Sequence, residues 1–343
     1  LLVRYYLPRI FGLILFPIGI IIKNRINFLR LDVDHFGPIV YAYHFISSKN
    51  YDSNKLYFFL NCNFPNPSLL EGLPKNIIFI ENPFIWIIMS GLFFCKPCSL
   101  QITPIHHSYF TDVRVPFADF EPLSRNTKNL YKSAYLFRNY TTRPKYLTDW
   151  LGDSPFILIY VREPGWNMSV GNSLRNGDLS IYLKFLEYCF ENNIKVIRYG
   201  GDYMKPVASY GIDESLIIDY CNSKVSNPEN DIYLWANCSG VIGSMSGAVH
   251  VPSVLFGKLT LYVGHVAIHH ILSFNGLVQN SGSIAENTYY ALPKISYNEH
   301  ELSLNQRLLK ENNKDFYTNC EIEQFDQDFI LNVGKLFLSE LNY

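Results

Sequence analysis

Short apolar runs of strand length alternate along this chain with stretches whose apolar residues recur every three or four positions, the pattern of strands joined by helices. In the second half, PFILIYV (155–161) is a nearly unbroken apolar run, as expected for a strand buried on both faces. After a long loop, Asp178 stands at a cap position ahead of Leu179, Tyr182, Leu183, Leu186, Cys189 and Phe190, which follow helical spacing. IKVIRYG (194–200) reads as the next strand. A short helix near Tyr203, a strand at 216–218, a helix at 231–238 and a strand at 241–243 follow, then a helix at 247–256 and a strand at 259–263. This grammar predicts a doubly wound domain over 151–320, closed by an amphipathic helix at 324–341 within a terminal segment 321–343.

The first half carries the same alternation less clearly. A strand is predicted at 28–31, a loop at 32–38, the start of a helix at 39–46, and strands at 56–60 and 77–80. Asn82-Pro83 signals a helix over 84–94. Residues 101–150, rich in Pro, Arg and aromatics, give no clear pattern, and an inter-domain linker is placed near their end. The fold class is therefore α/β, with a first domain over 24–150. The chain contains no internal repeat or low-complexity tract.

A length of 343 residues suits two such domains, and 48% hydrophobic against 17% charged residues excludes general disorder. A net charge of -1 supplies no broad positive field, so nucleic acid is not expected as a partner and any anion must be held locally. The 25 Tyr and 25 Phe suit stacking on bases or sugars as well as core packing. Seven scattered cysteines, an odd number, favour a reducing, cytoplasmic setting; Cys95 and Cys98 form a CxxC with no second matched pair for zinc. His106-His107 and His265 with His269-His270 have no carboxylate at ligand spacing, so neither a metal nor a cofactor is expected.

The apolar run within 1–23 is too short to span a bilayer and is interrupted by Pro17. With Arg4, Arg9 and Lys23 beside Tyr5, Tyr6 and Phe11, it fits a membrane-interface segment at the inner membrane, and equally a buried first helix. No small-residue cleavage site follows it, which disfavours a signal peptide, and the missing initiator Met suggests a trimmed start.

In an open parallel sheet, ligands bind beyond the carboxyl ends of the strands, so polar residues just after each strand are the candidates. Arg162 and Glu163 follow the first strand of the second domain; the Arg can fork two hydrogen bonds onto a diphosphate, the alternative being a surface Arg-Glu pair. Arg175 and Asn176 precede the next helix. Arg198 ends the following strand, and Gly200 and Gly201 after it permit close backbone approach to a ligand. Gly243-Ser244-Met245-Ser246-Gly247 opens a helix whose free N–H groups, with Ser244 and Ser246, can cradle phosphate; an ordinary capped helix start is the alternative. The segment matches neither a Walker loop nor a hydrolase elbow.

In this order the segments VREPGW, LRNGDLSIYLKFLEYCFENNIKVIRYGGDYM and IIDYCNSKVSNPENDIYLWANCSGVIGSMSGAVHVPSVLFG resemble a family of bacterial glycosyltransferases associated with surface-polysaccharide synthesis. More distantly they are similar to the core and protein O-fucosyltransferases, which share a strand-end Arg and a late Ser-rich turn. The resemblance covers residues 157–263. It implies a GT-B fold, two Rossmann-like doubly wound domains facing a cleft. It also implies that Arg162 contacts the nucleotide diphosphate, with Arg175, Asn176, Arg198, Gly200, Asp231 (the acidic start of the penultimate helix), Ser246 and Gly247 matching further motif positions. Lys258 and Gly264-His265 depart from the pattern.

The resulting expectation is transfer of a sugar from a nucleotide-diphosphate donor to a polysaccharide or lipid-linked glycan acceptor. A hexosyl or deoxyhexosyl group is expected, with inversion implied by the fucosyltransferase likeness alone. Arginine charge would stabilise the leaving diphosphate, so no bound divalent ion is required. Asp34 or His35, in the loop after the first strand, is the candidate base, and either residue also suits a structural role. Asp32 to Asp34 formally reads DxD but lies in the acceptor-side domain. A nucleotide-sugar epimerase of similar fold and a non-catalytic, membrane-associated carbohydrate-binding protein are the alternatives.

Overall fold

Runs of β-branched and aromatic residues decide the first sheet. Ile26–Arg30 (β1), Leu56–Leu60 (β2), Ile77–Ile80 (β3) and Ser99–Leu100 (β4) pair in parallel in the spatial order β3-β2-β1-β4. The second and third of these match their predicted bounds, and the first begins before its prediction. Tyr57, Ile77 and Ile80 are buried, as is Leu69 on the one-turn helix Ser68–Glu71 (α1). Asn76 Nδ2 donates to the Lys55 carbonyl at 2.7 Å, tying the turn before β3 to the start of β2. Asn82 Oδ1 accepts from Phe84 N at 2.9 Å, so the predicted cap signal is realised locally.

This computed structural model describes residues 10–11, 13–14, 16–18, 26–30, 52–60, 66–80, 82, 84–85, 99–100, 145–152, 154–163, 176–244, 246–264, 288–303, 306, 316–317 and 319–343. Two units divide the chain, Leu1–Asp112 and Val113–Tyr343. In the second, the helix Lys145–Leu151 (α2) buries Leu147 and Leu151 in a stretch whose composition gave no pattern.

Six parallel strands then form one sheet: Phe156–Tyr160 (β5), Lys195–Arg198 (β6), Ile218–Asp219 (β7), Gly240–Gly243 (β8), Leu259–Val263 (β9) and Thr288–Ala291 (β10). Their spatial order is β10-β9-β8-β5-β6-β7. Counted from β5 this is 3-2-1-4-5-6, the doubly wound order, with the switch in direction between β5 and β8. Every residue of β5 is buried, as its unbroken apolar run predicts for a central strand.

Helices Leu183–Glu191 (α3), Pro228–Asn237 (α4), Gly247–Phe256 (α5) and Gln327–Glu340 (α6) complete the unit. Asp178 caps as predicted, accepting from Ser180 N at 2.9 Å, but the first turn it starts, Leu179–Tyr182, is a 3-10 helix. No helix forms at Tyr203; the turn there is followed by a 3-10 helix over Val207–Tyr210. Phe185, Leu186 and Cys189 of α3 meet Ile330, Phe337 and Leu338 of α6 in the core. A fully buried Leu, Ile or Phe contributes about 1.5–3 kcal/mol. A Cβ on Gly334 of α6 would stand 2.3 Å from Phe185 Cδ2, so this glycine sets how closely the two helices pack. Ile295–Tyr297 (β11), His300–Glu301 (β12) and Glu321–Ile322 (β13), absent from the sequence-based prediction, form a small antiparallel sheet.

Candidate functional site

The switch in strand order parts the connections leaving β5 and β8, and this is where a doubly wound sheet offers a crevice. Gly243, at the end of β8, is required there by close packing, since a Cβ would lie 1.9 Å from the Tyr160 carbonyl oxygen. That approach lets Ser244 N donate to Tyr160 O at 2.8 Å, while Ser244 Oγ accepts from Arg162 N at 3.2 Å. Gly177 N in turn donates to Arg162 O at 2.8 Å. A Cβ on Gly177 would come within 3.0 Å of Ser244 Oγ and 2.8 Å of Val161 Cγ1. Residues 160–162, Gly177 and Ser244 are thus stitched together around Arg162. Ser244, predicted as a phosphate contact, is buried and its oxygen is engaged by the Arg162 amide.

Arg162 and Glu163, predicted together as ligand contacts, are both buried. Glu163 is buried, with Oε1 paired to Arg198 Nη2 and Oε2 accepting from Lys205 N at 2.9 Å. Arg198 is fully buried. Its Nη1 donates to Asp219 Oδ1 at 3.0 Å and to the Lys205 carbonyl at 2.7 Å. Asp219 Oδ2 accepts from Val207 N at 3.1 Å. A buried guanidinium needs this much compensation, because an unpaired charge in a low-dielectric interior is costly. Arg198 and Glu163 therefore face each other inside the protein. Asp219, aligned with Arg198 in the parallel register of β6 and β7, is the partner that the sequence reading missed.

The double glycine after β6 also serves a different purpose from the one predicted. A Cβ on Gly200 would lie 2.2 Å from Met204 Sδ, and one on Gly201 would lie 2.4 Å from Tyr203 Cε1. The glycines make room for the loop's own side chains. Folding back in this way brings Tyr203 Oη within 3.1 Å of Tyr160 Oη. Burial pushes the Tyr203 phenol upward, with Tyr160 adding to that shift and the Arg162 charge opposing it. Burial likewise raises Tyr210, helped by its hydrogen bond to the Glu163 carboxylate.

Ser246 caps α5: its Oγ accepts from Ala248 N at 3.4 Å, and its carbonyl accepts from Val249 N and His250 N at 3.0 and 3.1 Å. Gly247 is the first helical residue and is partly exposed. Pro252, inside the helix, has no N–H to offer the Ala248 carbonyl. The Tyr199 hydroxyl donates to that oxygen instead, at 3.1 Å, tying the end of β6 to the start of α5. Asn176 is partly exposed beside Gly177. Asp231 does not begin its helix; Asn227 caps α4 with Pro228 at the first position, and Asp231 accepts from the Tyr220 hydroxyl at 2.9 Å. Asp34, His35 and Arg175 lie outside the described residues, as do the Cys95-Cys98 pair and the predicted histidine groups.

Among the described residues no group of three or more His, Cys, Asp or Glu is placed to hold a metal ion. No described helix is long and apolar enough to cross a membrane. In comparisons with known proteins, no protein-family model matches the chain, and no curated protein matches it. Solved structures do resemble it at low identity. Escherichia coli heptosyltransferase WaaC with ADP is 10% identical, with 92% of this chain and 100% of that one covered at a TM-score of 0.47. E. coli ADP-heptose lps heptosyltransferase II is 11% identical, with 92% and 99% covered at 0.46. The wall teichoic acid polymerase TagF, H444N variant, is 12% identical, with 93% and 89% covered at 0.34.

Proposed function

We propose that the chain is a glycosyltransferase of GT-B type that moves a hexosyl or deoxyhexosyl group from a nucleotide-diphosphate donor to a polysaccharide or lipid-linked glycan, with inversion and without a metal. The observation that carries this reading is the doubly wound strand order with Arg162 and Ser244 joined at its switch point. There, the Arg162 guanidinium neutralises charge as the glycosidic bond to the diphosphate breaks, an electrostatic contribution that grows where water is excluded. The first turn of α5, at Ser246 and Gly247, supplies N–H groups and the positive end of a helix dipole to the phosphates. Arg175 and Asn176 complete the donor side. Arg198, Glu163 and Asp231 act as internal supports.

The acceptor side belongs to residues 24–150, with Asp34 or His35 as the base that takes the acceptor proton. Residues 1–23 lie against the inner face of the cell membrane, where the lipid-linked acceptor is met. The exposed side chains of Ile10, Leu13, Ile14, Phe16 and Ile18 support this placement.

Screening nucleotide sugars by thermal shift tests the donor claim, because a ligand bound only by the folded state raises the melting temperature. The active donor is then incubated with and without glycan acceptors, and free nucleotide and sugar product are measured. Acceptor-dependent nucleotide release supports transfer. Conversion of the donor to an isomer without acceptor, or no stabilisation by any nucleotide sugar, defeats the reading.

A further inference from the structure

Residues 162 and 163 lie past the end of β5, where the strand ladder no longer sets the course of the main chain. β5 runs between β8 and β6, and this short piece is tied toward both neighbours. Just past β8, Ser244 Oγ accepts from Arg162 N at 3.2 Å. At the end of β6, Arg198 Nη2 pairs with Glu163 Oε1, and in the loop beyond it Lys205 N donates to Glu163 Oε2 at 2.9 Å. The Lys205 peptide is itself held, since its carbonyl accepts from Arg198 Nη1 at 2.7 Å.

Glu163 is 3% exposed, and an ion pair so deeply buried gains little more than it loses by leaving water. What it fixes is geometry, because a carboxylate bonded through both oxygens to donors from separate segments has one place to sit. The residue so fixed shares its peptide bond with Arg162.

Resting on the donor reading above, we infer that Glu163 is a positioning residue: by anchoring the 162–163 peptide to the end of β6, it holds Arg162 where the guanidinium meets the nucleotide diphosphate. Glu163 touches no ligand and takes part in no bond-making step. It acts through Arg162, so its effect on binding depends on that arginine being present.

The charge balance makes this testable. When Glu163 is changed, Arg198 keeps Asp219 as its counter-charge, Nη1 to Oδ1 at 3.0 Å, and no buried cation is stranded. Glu163→Gln keeps the size and one accepting oxygen but turns an amide nitrogen toward the other donor. Glu163→Ala removes both ties. Each change is made alone and together with Arg162→Ala, and urea midpoints establish that the ligand-free variants are folded. Binding of inorganic pyrophosphate and of a panel of nucleoside diphosphates is then measured by calorimetry, carried to millimolar ligand so that weak residual binding is read.

With Arg162 present, Glu163→Gln is expected to weaken both kinds of ligand about threefold and Glu163→Ala about tenfold. In the Arg162→Ala background the same changes are expected to alter the remaining binding by less than about twofold. Equal losses in the two backgrounds overturn the inference, because Glu163 then supports the site as a whole and not Arg162. Binding within about twofold of the parent protein by Glu163→Ala overturns it too, and should that variant not fold, undiminished binding by Glu163→Gln does so. In each of these cases the donor reading stands if Arg162→Ala alone weakens diphosphate binding. Failure of the parent protein to bind any of these ligands removes the donor reading and this inference together.

Discussion

Two arginines leave the same edge of the second sheet in similar sequence settings, YVREPG and VIRYGG, and both are buried, at 5% and 0% exposure. Arg198 is the last residue of β6 and shares a sheet face with Val196, a core residue. Strand alternation drives its side chain into the interior, and Glu163 and Asp219 are there to neutralise it. Arg162 lies two residues past the end of β5, where alternation no longer dictates direction, and its backbone is held by Ser244 and Gly177. Two residues of offset from a strand end thus separate an arginine placed by strand alternation from one placed by the segments packed around the loop.

The comparison breaks most decisively through stability. Arg198→Ala leaves the buried Glu163 carboxylate and the half-buried Asp219 carboxylate without their cation and should cost about 3–5 kcal/mol, read as a fall in the urea midpoint. A loss below about 1 kcal/mol would mean that Glu163 and Asp219 are compensated elsewhere. Arg162→Ala should show the opposite profile, with donor turnover reduced about 10²–10³-fold and a melting temperature close to the parent's. Matching losses of turnover and stability in that variant would reduce both arginines to one structural role.

Smaller effects sharpen the picture. Gly243→Ala drives a methyl group into the Tyr160 carbonyl and should cost about 1–3 kcal/mol by chemical denaturation, because the backbone must shift. Ser246→Ala removes the α5 cap and should cost about 1 kcal/mol, with weaker nucleoside diphosphate binding if this turn holds phosphate. Alkaline pH should have the mildest effect. Burial pushes the Cys189 and Cys238 thiols up to about 12, whereas an unfolded thiol ionises near ~8.5. With the folded-state value raised, their contribution is complete below the unfolded value and is lost as pH climbs toward the folded one. Urea midpoints should therefore be lower at pH ~10 than at pH ~7.

Much of the second unit was legible from periodicity. The predicted spans for α5 and β9 match the observed ones, β5, β6 and α6 fall within theirs, and β8 begins one residue before its own, because long apolar patterns bounded by Gly, Asp or Ser leave few alternatives. Elements with weak or short patterns were not legible. α2 is seven residues long, and β11, β12 and β13 are two or three residues long, too brief for any period to show. The helix expected near Tyr203 gives way to a turn, as two successive glycines favour.

The sequence by itself determined the order of strands and helices in the second unit and the polar residues that follow each strand, since both depend on neighbours along the chain. Tertiary structure alone decided what those residues face. The pairing of Arg198 with Glu163 spans 35 positions and that of Tyr160 with Tyr203 spans 43, and neither leaves a local signal. The physical reason is that a charge or hydroxyl takes its role from whatever the fold packs against it. In this sheet that neighbour is set by strand order, which brings β8 beside β5 and β7 beside β6.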